Sequence, residues 1–226
     1  MPYCPNCGAQ LQEGESHVCA QNQEQAPVAA RTFEKDVLVK LLKNPFNALE
    51  LNPEKDLIYG VIGFASSVIG FFIWGWAQFA TLLNAFSAIL GFGGGFPTFS
   101  GSGTWGFSLR FLLLGAISLA ALLTSLWLIG NWCGAVKRSP RETITRLGAL
   151  QFPFGACFLV AAFAALISLM KISLLIAALT TLVSLLCTVE AAIDCFQVAK
   201  DNRFKFIAYG MVVYAVAVGL IAPLFL

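Results

Sequence analysis

Apolar positions dominate the chain from residue 57 to residue 226, and polar residues interrupt them at only a few places. The run from Leu57 to Leu90 contains no charged residue. A membrane-spanning helix needs about 20 apolar residues, whereas a buried helix of a water-soluble protein rarely exceeds about 14. One helix over the whole run would measure about 51 Å at ~1.5 Å per residue. The first span is therefore expected at 57–79, with Trp74 and Trp76 as interfacial anchors; the remainder projects outward or returns along the surface. Further apolar runs predict spans at 108–129, 154–170, 172–199 and 206–226. The expected fold is an all-α membrane protein with five transmembrane helices.

The polar interruptions have their own patterns. Residues 91–107 hold seven glycines and no charge, which predicts an outer loop. The run contains no lysine and follows no strand, so it is not a phosphate loop. Ser139-Pro140 with Glu142 is a helix-start signature, and the short helix that follows is expected to carry Ile144, Leu147 and Leu150 on one side. Lys171 marks a tight turn, and the segment Lys200 to Lys205 is expected to separate the last two spans. Ahead of the first span, Phe33, Val37, Leu38, Leu41 and Leu42 recur at helical spacing, with Lys35, Lys40 and Lys43 largely between them. That predicts a juxtamembrane amphipathic helix within 31–56, ended or bent at Asn44-Pro45. It lies either along the lipid surface or against the protein's own cytoplasmic face.

The first 22 residues are different in kind. Cys4-Pro-Asn-Cys7-Gly8 has the spacing of a zinc knuckle, in which two thiolates reach one ion above a tight glycine turn. Cys19 falls about where a second pair would begin, but Asn22 stands where its partner cysteine would be. His17 can serve instead, because His-x-Cys in an extended segment puts both side chains on one face. The reading is a structural zinc held by Cys4, Cys7, Cys19 and His17; a ribbon that has lost its metal and a fourth ligand from elsewhere are the alternatives. Residues 23–30 then form a polar linker around Pro27. The remaining cysteines, Cys133, Cys157, Cys187 and Cys195, are scattered among apolar runs and read as small packing groups.

Composition agrees with a bilayer as solvent: 58% of residues are hydrophobic, 12% are charged, and the mean hydropathy is +0.78. A net charge of +2 is too small to point to nucleic acid. No cleavable leader is visible at the N-terminus, which lacks a basic start and an apolar core. With five spans, all of the 14 basic residues except Arg110 and Lys171 fall on one side. The positive-inside rule then predicts a multi-pass protein of the cell membrane with its N-terminus cytoplasmic and its C-terminus extracytoplasmic. Thiols stay reduced in the cytoplasm, which suits the zinc assignment.

Few groups in the spans could carry chemistry. Glu190 and Asp194 lie four apart and share a helix face, either as an ion-coupling pair or as an interfacial pair meeting Arg141, Arg146, Lys200 or Arg203. The second reading follows from their expected position near the cytoplasmic boundary. Small residues four apart (Gly63 with Ser67, Ser66 with Gly70, Ala116 with Ala120, Ala161 with Ala165, Ala215 with Gly219) predict close helix approach, within the chain or between copies in a homo-oligomer. The only histidine is His17, so no Ser–His or Cys–His pair can form in the membrane, and an enzyme is not expected.

Leu41 to Glu50 (LLKNPFNALE), Ser139 to Gly155 (SPRETITRLGALQFPFG) and Asp194 to Gly210 (DCFQVAKDNRFKFIAYG) together resemble the Yip family of five-span membrane proteins, in the bacterial form with a zinc ribbon in front. The resemblance covers roughly residues 38–226 and carries over no functional residue. It implies a non-enzymatic scaffold or accessory protein acting through other membrane proteins, an ABC-type transporter among them. A small transporter or ion-conducting protein using Glu190 and Asp194, and a zinc- or thiol-responsive membrane sensor, are the rival expectations.

Overall fold

The computed structural model describes residues 34–89 and 102–221, and every regular element in them is helical. The elements are α1 (Lys35–Lys43), α2 (Leu57–Ile89), α3 (Ser102–Cys133), α4 (Pro140–Thr143), α5 (Phe152–Leu166), α6 (Met170–Cys195) and α7 (Lys200–Ile221). A 3-10 turn, Pro45–Glu50, follows α1, and a π turn, Ile144–Gly148, continues α4. Four helices are long and apolar enough to cross a membrane: Leu57–Leu82, Leu109–Cys133, Met170–Cys195 and Lys200–Ile221. The pair Pro140–Gly148 and Phe152–Leu166, bent by 43°, makes up to five. The chain is thus a multi-span helical membrane protein.

The distribution of side chains fits lipid rather than water. On α6, Ser173, Ala177, Thr180, Ser184 and Thr188 face the interior, while Leu174, Leu175, Leu179, Leu182 and Leu186 are exposed. A water-soluble helix would do the reverse. In lipid an outward leucine loses nothing, and an inward hydroxyl finds a hydrogen-bond partner.

The tightest seam lies between α2 and the α4–α5 stretch. A Cβ added at Gly60 would overlap the backbone of Ile144 and Thr145, one at Gly63 that of Gly148 and Ala149, and one at Gly70 that of Gly155. Farther along, Thr81 Oγ1 donates to the Ala165 carbonyl at 3.3 Å. Both stretches therefore advance in the same direction. From Gly60 to Thr81 is about 32 Å of helix, and the bent stretch keeps pace from Ile144 to Ala165. The expected small-residue pairs Gly63/Ser67, Ser66/Gly70 and Ala161/Ala165 all lie in buried packing contacts here or beside them. Ala215 and Gly219 do not: both are exposed on α7, and nothing stands within 4 Å of a Cβ added at Gly219.

Several expected boundaries move. Helix α2 runs unbroken to Ile89, so the residues past 79 continue straight instead of returning. Trp74 donates its indole N–H to Ser173 Oγ at 3.1 Å, and so stitches α2 to α6 rather than serving as an outward-facing anchor. Helix α3 begins at Ser102, inside the expected glycine loop, because a helix once nucleated extends through weak formers. Residues 90–101, the rest of that loop, lie outside the described residues. The helix expected to open at 154 is preceded by Pro140–Gly148, to which it is bent by 43°. Leu147 and Leu150 are fully buried as expected, but Ile144 is exposed, because the π turn shifts the helix phase between them.

The turns before and after α6 also differ from expectation. They fall at Ile167–Leu169 and Phe196–Ala199, so Lys171 and Lys200 to Lys205 are already helical. Each turn is a Schellman cap. Leu169 N donates to Ala164 O and Ser168 N to Ala165 O; Val198 N donates to Ile193 O and Gln197 N to Asp194 O. The left-handed residue is Ser168 (φ 65°) in one and Gln197 (φ 49°) in the other.

Helix α1 settles between its two expected placements. Leu41 is fully buried in the main core with Leu147, Leu150 and Phe196, and Val37 and Leu38 pack on that cluster. The helix lies against the protein itself. It ends at Asn44, whose Oδ1 accepts from Phe46 N at 3.1 Å beside Pro45, as the sequence predicts.

Candidate functional site

Two places combine polar groups with a defined geometry: a cavity inside the bundle, and the end of the bundle where the basic residues gather.

The cavity has a volume of about 290 Å³ and lies where α2, α3, α5, α6 and α7 meet. No charged side chain lines it. Its walls are mostly apolar, with Phe71, Phe158 and Leu122 among them, and its polar groups are Ser67, Ser118, Gln151, Thr181, Ser184 and Tyr214. Gln151 lies between the π turn and α5, where the helix is broken and turns its amide into the interior. Its Nε2 donates to Thr188 Oγ1 at 2.7 Å, and its Oε1 accepts from Ser184 Oγ at 2.8 Å. All three side chains are buried, Gln151 and Thr188 completely. In the same lining Ser118 Oγ and Tyr214 Oη share a hydrogen bond of 2.8 Å, which ties α3 to α7. The Ser66 hydroxyl donates to the Phe152 carbonyl beside Gln151, and Ser66 stands about 14 Å along α2 from Leu57, roughly half of a ~30 Å hydrocarbon layer.

A second polar knot closes the other half of the bundle. Trp74 Nε1 and Gln78 Nε2 both donate to Ser173 Oγ, which donates in turn to the Ala161 carbonyl at 2.6 Å. Hydrogen bonds of this kind join α2, α5 and α6 without charge.

At the basic end the arginines are used structurally. Ser139 and Glu142 form the expected capping box: Ser139 Oγ accepts from Glu142 N at 3.2 Å, and Glu142 Oε2 accepts from Ser139 N at 3.1 Å. Arg138 pairs with Glu142 at 3.3 Å and donates from Nε to the Cys195 carbonyl at 3.2 Å. Arg146 Nη1 reaches Cys195 Sγ at 3.9 Å, and Arg141 donates to the Glu54 carbonyl at 3.1 Å. Two guanidinium groups thus sit over the C-terminus of α6, where the helix dipole is negative. The Arg138 carbonyl accepts from Trp127 Nε1 and Asn131 Nδ2, which fixes the α3–α4 connection. Lys35, Lys40, Lys43, Lys200 and Lys205 are exposed around this same end.

Glu190 and Asp194 are both exposed, line no part of the cavity, and make no ion pair among the described residues. The expected meeting with Arg141, Arg146, Lys200 or Arg203 does not form, because Arg141 and Arg146 are turned toward Glu54 and Cys195. Cys4, Cys7, His17 and Cys19 lie outside the described residues. Among the described residues no group of three or more metal-ligating side chains comes together.

Of the cavity's polar residues the sequence marks only Ser67, and as a packing residue. The signal was the stripe Ser173, Ala177, Thr180, Ser184, Thr188 on α6, whose three- and four-residue spacing marks one inward face among leucines.

No family model matches the chain, and neither the curated proteins nor the solved structures yielded a match.

Proposed function

We propose that the chain is a non-enzymatic, five-span scaffold of the cell membrane that docks partners at its basic end. The observation that carries this reading is the gathering of α1, the α3–α4 connection, the end of α6 and the start of α7 around one core, with Lys35, Lys40, Lys43, Lys55, Lys137, Lys200 and Lys205 exposed on the outside. Arg138, Arg141 and Arg146 are committed to internal contacts, which leaves the lysines of α1 and α7 as charges available to a partner.

The parallel advance of α2 and the α4–α5 stretch supports counting the bent pair as a span: it covers the same ~32 Å as Gly60 to Thr81. Five crossings and the placement of basic residues put the N-terminus and this end in the cytoplasm and the C-terminus outside. The resemblance to the Yip family, carried by the residues already quoted, leads to the same scaffold role, with an ABC-type transporter as one kind of partner. A structural zinc held by Cys4, Cys7, His17 and Cys19 belongs to this reading on spacing alone. The transporter alternative draws no support from Glu190 and Asp194, which face away from the cavity.

The test is affinity purification in mild detergent, comparing the natural chain with a Lys35→Glu, Lys40→Glu, Lys43→Glu variant. The same membrane partner should be recovered repeatedly with the first and lost with the second, at equal protein level. Equal recovery by both would remove the docking surface from the proposal.

A further inference from the structure

The cavity offers hydrogen-bond capacity that the fold does not use. Ser67 is buried, lines the cavity, and makes no hydrogen bond among the described residues. Gln151 Nε2 carries two protons, and only the one given to Thr188 is committed. Ser118 and Tyr214 hold two hydroxyl protons between them and share one hydrogen bond, so one proton is left over. Unmade donors at mid-depth in a bilayer are costly, since no lipid tail accepts from them.

An occupant must answer four features at once. It carries no charge, because no charged group lines the cavity and an isolated charge at this depth is expensive. It presents more than one acceptor, because the spare donors come from different helices: Ser67 from α2, Gln151 from the break before α5, and the Ser118–Tyr214 pair from α3 and α7. It suits aromatic neighbours, because Phe71 and Phe158, set edge-to-face with centroids 5.5 Å apart, are both in the lining. It is small at its polar end, since about 290 Å³ lies near the lower limit of ligand pockets.

We infer that the cavity binds an uncharged, membrane-dissolved ring bearing carbonyl oxygens, the chemistry of an isoprenoid quinone head group. The ring lies among Phe71, Phe158 and Leu122, and its carbonyls accept from Ser67, Gln151 and the Ser118–Tyr214 pair. The chain leaves between α6 and α7, where Thr181, Leu185 and Val218 line the cavity and the two helices pack sparsely. This is binding only, with no electron transfer implied. It does not depend on the scaffold reading.

The probe is decyl-ubiquinone added to the full chain in mild detergent, read by native mass spectrometry and by quenching of tryptophan fluorescence. Saturable binding of one molecule per chain is expected. Ser67→Ala removes one donor from a residue the fold does not lean on and should weaken binding about three- to tenfold. Ser67→Leu fills the cavity and should abolish binding, whereas Leu182→Ala, on the lipid face, should leave it unchanged. A dioleoylglycerol arm and a phosphatidylglycerol arm should not compete. Absence of saturation, unaltered affinity in Ser67→Ala, or equal competition by dioleoylglycerol would each overturn the inference.

Discussion

Gly63→Ala sets two physical effects against each other. Alanine is the better helix former, and in an exposed helix the exchange would stabilise by roughly 0.5–1 kcal/mol. At Gly63, however, the new Cβ would stand 2.8 Å from Ala149 Cα and 3.0 Å from its carbonyl oxygen, and would overlap the Gly148 carbonyl oxygen. Ordinary van der Waals contact begins near 3.4 Å, so the two backbones must part by roughly 0.6 Å or more, a gap that already forfeits a quarter to a half of each contact's attraction. Because the obstacle is backbone, no side-chain rotation relieves it. Overpacking of this kind costs about 1–3 kcal/mol, which outweighs the propensity gain. The expected result is a lower midpoint in thermal unfolding followed by circular dichroism in mild detergent. Gly219→Ala is the internal control: nothing stands within 4 Å of its added Cβ, so only propensity acts and the midpoint should hold or rise. If Gly63→Ala were as stable as the natural chain, α2 and the α4–α5 stretch would not be in backbone contact, and the parallel pairing would fail with it.

Three further outcomes follow. Ser168→Gly and Gln197→Gly each relieve a left-handed residue and should stabilise by roughly 0.5–1 kcal/mol after glycine's own entropy cost; a lower unfolding midpoint in both would contradict the Schellman geometry. The purified full chain should carry about one zinc per molecule by elemental analysis, lost in Cys4→Ser and Cys7→Ser, and a metal-free natural chain would withdraw the site. Reporters fused at Met1 and after Leu226 should lie on opposite sides of the membrane; reporters on the same side would require an even number of crossings.

The sequence announced its solvent more clearly than its contacts. Uncharged runs such as Leu57 to Leu90 decide helix and membrane at once, because only one solvent tolerates them. Turns were harder to read because both caps flanking α6 place Ser168 and Gln197 where glycine usually marks a helix end. The nearest charges in the sequence, Lys171 and Lys200, are the second residue of α6 and the first of α7. The basic end was legible as charge, but not as geometry. Whether Arg146 meets Asp194 or Cys195 depends on the π turn, and a one-residue change of phase leaves no mark in the hydrophobic pattern. Gln151 was hidden for a related reason. The hydrophobic pattern makes it the end of a short helix, whereas it sits at the break within a longer path.

That break has a mechanical reason. Straight helices that meet through small residues cross at an angle of about 40° and separate within a few turns on either side. Here the contact begins at Gly60 against Ile144 and persists to Thr81 against Ala165. A single straight partner could not follow α2 that far at backbone distance. The 43° bend between Gly148 and Phe152 redirects the second helix along the first, with Gly70 meeting Gly155 and Ala77 packing on Ala162 and Ala165 beyond it. The residue at the bend must satisfy its polar groups away from water, and Gln151 does so by reaching Ser184 and Thr188 on α6. The glycine seam, the broken helix and the uncharged polar cavity are thus one arrangement: the close approach requires the bend, and the bend delivers an amide to mid-depth.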